Sequence, residues 1–333
     1  MNALENSPAY RDRRTGLIVF GIVEIIIGCF CLLLLLMMVL GQVMAAKATG
    51  NPVPFKILLP SLLTYPAMAA GFVWLGIGSM KRRRWARAIS LIVSWSWLLV
   101  GIVSIVAFVL MAPVIFKPMT TGPNALPEEA RAVMMVMMAL MLGVMFILIP
   151  GALLLFYRSP HVKATCEAAD PQRSWTDACP LPVLAASLWM FFGGLMMPLM
   201  PIAYNGVFPF FGKLVQGAAG SVVFFILMAV WIYAAWAIYR LKPAGWWLAL
   251  ISFGLLLASN VVTFWNIDIM EWYRAMGYSE DLLNHIQQFN FSGRQFVIWT
   301  LVGAALIIGY LLFIYRYFRN PSSMPPQFSP TPA

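Results

Sequence analysis

GLIVFGIVEIIIGCFCLLLLLMMVLG, residues 16–41, carries one charged side chain, Glu24. A helix needs about 20 apolar residues to cross the hydrocarbon of a bilayer. This run exceeds that, and it also exceeds the ~7–15 apolar residues of a secretory signal. Its flanks, RDRR at 11–14 and AAKA at 45–48, resemble those of a signal segment. The length of the apolar run favours a retained membrane span instead.

The whole chain follows this lead. Of its 333 residues, 62% are apolar and 10% charged, against about 25% charged in an ordinary soluble domain. So little polar surface cannot cover a water-exposed globule, and the lipid bilayer is the first expected partner. The net charge of +10 raises nucleic acid as a partner, but no aromatic-basic stripe or binding motif accompanies it. The basic residues cluster at the ends of apolar runs, so no nucleic-acid partner is expected.

Seven more runs are long enough to span: 57–80, 88–111, 132–157, 181–204, 218–239, 245–265 and 296–318. The expected fold is therefore an all-α membrane protein of eight transmembrane helices. With the N-terminus inside, 15 of the 22 Lys and Arg fall on the inner side, which places both termini in the cytoplasm. The expected location is the bacterial inner (plasma) membrane.

Internal similarity organises the eight spans. MKRRRWARAISL from Met80 resembles RLKPAGWWLALI from Arg240, pairing Lys81 with Lys242, Trp85 with Trp246 and Ala88 with Ala249. GALLLFYRSP from Gly151 resembles GYLLFIYRYFRNP from Gly309, and VPFK from Val53 corresponds to FPFFGK from Phe208. Two parallel four-helix repeats follow, related by a pseudo-twofold axis along the membrane normal. The expected organisation is a cytoplasmic segment 1–15, a first unit 16–158, a cytoplasmic connector 159–180, a second unit 181–319 and a disordered Pro- and Ser-rich tail 320–333. SEDLLNHIQQF from Ser279 reads as a short amphipathic helix on the membrane or on the outer end of the bundle.

Four features bear on chemistry. Glu24 lies roughly 12 Å into the first span at 1.5 Å per residue, where a carboxylate must be paired, protonated or wetted. It reads as a proton or cation relay, or as the structural partner of Arg87. The corresponding position of the second unit is Met190. Met134, Met138, Met141 and Met145 form a stripe at helical spacing; thioethers suit Cu(I), with Cys29 and Cys31 elsewhere, but the stripe reads first as adaptable packing, since no paired thioether or CxxC site stands in a polar context.

In the connector, HVKATCEAADPQRSWTDAC from His161 offers His161, Cys166 and Cys179 as candidate metal ligands, with Asp170 or Asp177 as a fourth. Their spacing matches no common zinc motif, and a cytoplasmic connector argues against a disulfide. Finally, Ser90, Ser94 and Ser96 in the third span, with Ser252, Ser259, Asn260 and Thr263 in the seventh, read as helix-to-helix glue or the lining of a narrow path.

The sequence contains no HExxH, GxSxG, P-loop or dinucleotide fingerprint, and one ionisable group within a span is too few for acid-base chemistry. No catalytic residue and no cofactor are expected. The leading expectation is a small-solute or ion transporter (permease) with its path between the two repeats. The alternatives are a non-catalytic scaffold or accessory subunit that docks a membrane-protein partner, and a metal-handling membrane protein.

Overall fold

A computed structural model of the protein describes residues 11–49, 55–116, 127–287 and 292–319. The segments 1–10 and 320–333, including the expected tail, lie outside the described residues. The chain divides into two compact units, Met1–Asp177 and Ala178–Ala333.

In unit 1, α1 (Arg14–Thr49), α2 (Phe55–Met80) and α3 (Arg84–Phe116) are followed by α4 (Glu128–Gly143) and α5 (Ile149–Arg158). These last two form one rod through a π-helical turn at Val144–Leu148. Pro150 has no N–H to offer Phe146 O, so the ladder must widen there. α3 exploits the opening: a Cβ on Gly101 would lie 2.5 Å from Phe146 O. α1 and α2 pack antiparallel through two glycine-based approaches a heptad apart. A Cβ on Gly21 would lie 2.7 Å from Gly76 O, and one on Gly28 would lie 2.9 Å from Ala69 O. Small residues let membrane helices meet backbone to backbone, which compensates for the missing hydrophobic drive between them.

Unit 2 holds α7 (Leu181–Met196), α8 (Leu199–Ala203), the strands β1 (Phe208–Phe210) and β2 (Lys213–Val215), α9 (Gly217–Tyr239), α10 (Pro243–Asn266), α11 (Ile269–Ala275), α12 (Glu280–Gln287) and α13 (Gly293–Arg319). α7 packs on α9, α9 on α10, and α10 on α13. The Trp246 indole N–H donates to Leu311 O at 2.7 Å across the α10–α13 contact.

Among the described residues, seven helices are long and apolar enough to cross a bilayer, and the chain is an integral, all-α membrane protein. The expected span 181–204 is not among them. The run 181–204 breaks after Met196, because Pro198 and Pro201 cannot donate to a continuing helical ladder. What remains, α7, has 16 residues, about 24 Å at 1.5 Å per residue, short of the ~30 Å hydrocarbon.

After that break the chain makes an antiparallel hairpin, pairing Phe208 with Val215 and Phe210 with Lys213. It lies against the last two turns of α10. Ser259 Oγ donates to Pro209 O at 2.7 Å and accepts from Phe211 N at 3.1 Å. Thr263 Oγ1 accepts from Gly212 N at 3.0 Å. Backbone polar groups near membrane depth need such partners. Replacing Ser259 with Ala should loosen the hairpin by about 1–3 kcal/mol, the cost of unmet buried groups. Chymotryptic cleavage at Phe210 and Phe211 would read this, and an unchanged cleavage rate would refute it.

The expected amphipathic helix near Ser279 is α12. Rather than lying free, it packs Leu283 and Ile286 against Phe264, Ile269, Met270 and Val297. Asp268 caps α11 by accepting from Met270 N at 3.2 Å.

Candidate functional site

Glu24, on α1, is buried to 1% exposure and is met by the other three rods of unit 1. Gly21 and Gly76 draw α1 and α2 together. Side chains tilt toward the N-terminus of their own helix, so on antiparallel neighbours Glu24 and Ser79 lean toward each other. Ser79 Oγ donates to Glu24 Oε2 at 3.0 Å. The Tyr157 hydroxyl, from the last turn of α5, lies 2.7 Å from Ser79 Oγ. The Tyr157 hydroxyl also faces Glu24 itself, so Tyr157, Ser79 and Glu24 form one hydrogen-bonded cluster. Ser90 on α3 faces the same carboxylate and Tyr157, short of full hydrogen-bond geometry. Tyr157, Ser79 and Ser90 are 0%, 1% and 2% exposed, so protein groups alone surround the carboxylate.

Sequence reasoning singled out Glu24 and Ser90 but not Ser79 or Tyr157. A Ser and a Tyr one residue from the ends of their helices look like ordinary interface residues; only antiparallel pairing brings them to Glu24. Arg87 is not brought to Glu24: among the described residues no ion pair joins them. Arg87 lies one turn before Ser90, with the acidic charges of Glu167 and Asp177 acting on it and Nε buried without a hydrogen bond. The carboxylate is thus solvated by hydroxyls, and Arg87 faces the connector.

The first half of the connector is helical. α6 (Pro160–Ala169) starts with Pro at its first position and buries Val162, Thr165 and Cys166 on one face. His161 Nδ1 accepts from Arg11 N at 3.4 Å, and Thr165 Oγ1 accepts from Arg13 N at 3.1 Å. No group of three His, Cys, Asp or Glu side chains placed to hold a metal exists among the described residues. The proposed ligands are therefore not assembled: His161 is occupied by backbone, and Cys166 and Cys179 are free thiols buried to 1% exposure. Burial pushes the Cys166 thiol up to about 11 and the Cys179 thiol to about 12. Both stay protonated at neutral pH, the poor form for metal binding.

The Met stripe runs along a rod whose first part, α4, buries none of its residues. Met141 is exposed, while Cys31 packs with Ala69 and Phe72. The polar residues of the spans mostly bond to nearby backbone: Ser94 to Ser90 O, Ser252 to Ala249 O and Asn260 to Leu256 O.

Compared with protein-family models, curated proteins and solved structures, the chain matches none.

Proposed function

We propose that this protein is a non-enzymatic small-solute or ion transporter, built from two copies of one four-helix unit with both termini cytoplasmic, in which Glu24 takes up and releases a proton. The observation that carries this reading is a carboxylate buried to 1% exposure in a span, met by hydroxyls and by no cation among the described residues. A carboxylate placed so can change charge without breaking an ion pair, and an intramembrane ionisable group is by default a functional one.

Duplication draws support from geometry inside each unit. The α2–α3 turn bonds Lys81 N to Ile77 O, Arg82 N to Ser79 O and Arg83 N to Gly78 O. The α9–α10 turn bonds Arg240 N to Trp236 O, Leu241 N to Ile238 O and Lys242 N to Ala237 O. Each turn places a non-glycine residue at positive φ, Arg82 at 55° and Leu241 at 57°. Gly78 lies against Ala86, and Gly245 against Ala237. This register differs by two residues from the one suggested by the letters, since Arg83 rather than Lys81 stands opposite Lys242. On the neighbouring helices Gly28 meets Val73, and Gly194 meets Ile232.

Carried through, Glu24 corresponds to Met190, Ser79 to Ile238, Ser90 to Ala249 and Arg87 to Trp246. Those four residues of unit 2 are all buried. One copy would therefore have kept an apolar node for stability while the other carries charge and hydroxyls, a division expected when only one copy does the chemistry.

The test is proton entry into proteoliposomes that hold a pH-sensitive dye and are driven by a potassium diffusion potential. The wild-type chain should raise entry above that of empty vesicles, Glu24→Gln should remove the increment, and Tyr157→Phe should lower it. Equal entry for the wild type and Glu24→Gln would sink the transporter reading in favour of the scaffold.

A further inference from the structure

The connector lies over the end of unit 1 beneath which the Glu24 node is built. α6 packs against α1, α3 and α5, the helices that carry Glu24, Ser90 and Tyr157. Besides its buried face of Val162, Thr165 and Cys166, it is held by ionic contacts concentrated on one turn of α3. Arg84 Nε lies 3.1 Å from Asp177 and Arg84 Nη2 lies 3.6 Å from Glu167. The Arg84 backbone N–H points at Asp170 at 3.4 Å, and Arg83 lies 3.5 Å from the same carboxylate. Below this turn, Arg84, Arg87 and Ser90 follow one another at intervals of three along α3, leading from the connector acids toward Glu24. Midway, Arg87 Nε is buried with no hydrogen bond.

We propose that the connector, residues 160–177, is a lid over the Glu24 node, held shut by Arg84 and released when the Asp177 end is pulled away. The pull has a source in the covalent structure: Asp177 is the last residue of unit 1 and Ala178 the first of unit 2. Any movement of unit 2 is therefore transmitted to the carboxylate that Arg84 holds. The charged contacts at the Asp177 end suit this task, because partly exposed ion pairs are individually weak and break at small cost. The lid rests on the reading of Glu24 as a functional carboxylate, but its test uses labelling rather than flux, so the two can fail separately.

Two buried reporters lie beneath or in the lid, Cys166 and Glu24, each 1% exposed. N-ethylmaleimide alkylation of Cys166 and modification of Glu24 by a water-soluble carbodiimide with glycinamide can both be followed by peptide mass spectrometry on the full chain. Both should be slow in the wild type. Arg84→Gln should speed both reactions by about tenfold, the effect of losing a small network of contacts, and the milder Asp177→Asn by about threefold, the effect of losing one ion pair. Arg84→Lys should stay near the wild type, and Glu24→Gln should leave Cys166 alkylation unchanged. Cys179, buried in unit 2, is the control: its alkylation must stay slow, which separates an open lid from an unfolded chain. If Cys166 reacts faster while Glu24 does not, the connector is not the cover of the node. If neither reaction speeds up in either variant, the ion pairs are not the latch. Either outcome overturns the proposal.

Discussion

Gly76→Leu abolishes the folded first unit. At this position α2 meets the backbone of α1: a Cβ on Gly76 would fall on Gly21 O and lie 2.7 Å from Ile25 Cγ1. A backbone carbonyl cannot rotate aside as a side chain can, so the helices must separate to admit the new side chain. Separation undoes the matching approach of Gly28 to Ala69 O two turns away and pulls Ser79 off Glu24. The expected loss is at or above the ~3 kcal/mol end of overpacking penalties, and the buried carboxylate left without its donor adds to it. Denaturant titration in mixed micelles would read this as a large fall in midpoint. Gly71→Leu is the matched control, since nothing lies within 4 Å of a Cβ there, and it should change little. Equal midpoints for the two variants would show that the α1–α2 approach is not what holds the unit together.

Such contacts explain which parts of the fold were legible in sequence. The spans were, because a run such as 16–41 announces its solvent by composition alone. The broken run 181–204 was not: a hydropathy pattern registers Pro198 and Pro201 as tolerated residues of a membrane helix, and only the emerging hairpin reveals why the helix ends. Ser259 and Thr263 read as glue between helices, yet their hydroxyls hold that hairpin. The helix inside the connector was not legible either, because ten residues with three buried positions give a weak helical signal. In the site, Glu24 stands out wherever it is looked for, since it is alone in its span. Its expected partner was a cation, chosen by charge. The partners found, Ser79 and Tyr157, are 55 and 133 positions away in sequence, and no spacing rule connects residues that meet through packing of separate helices.

Transplanting the apolar node of unit 2 into unit 1 separates stability from chemistry. Of the single changes in this transplant, Ser79→Ile should be the most damaging. It removes the donor to Glu24 Oε2, takes the acceptor of Tyr157 and buries the carboxylate against a methyl-rich side chain; leaving a buried acceptor unmet costs about 1–3 kcal/mol and more for a charged one. Glu24→Met alone should be milder, because it removes the charge itself and leaves only neutral hydroxyls to re-pair. The triple variant Glu24→Met, Ser79→Ile, Ser90→Ala copies Met190, Ile238 and Ala249, all buried in unit 2. It should recover most of what Ser79→Ile loses, because replacing a whole buried polar cluster by packed apolar groups is often neutral or stabilising.

The energies of the three changes are consequently non-additive, with the sum of single losses exceeding the loss in the triple. The residual mismatch falls on Tyr157, whose hydroxyl would lose Ser79, and adding Tyr157→Phe should improve the triple further. Midpoints of micellar unfolding supply the comparison. A triple variant no more stable than Ser79→Ile would refute the correspondence between the two units. A triple that folds well and still raises proton entry would refute the role assigned to Glu24. Stability regained with proton entry lost is the result that the asymmetry between the two units predicts.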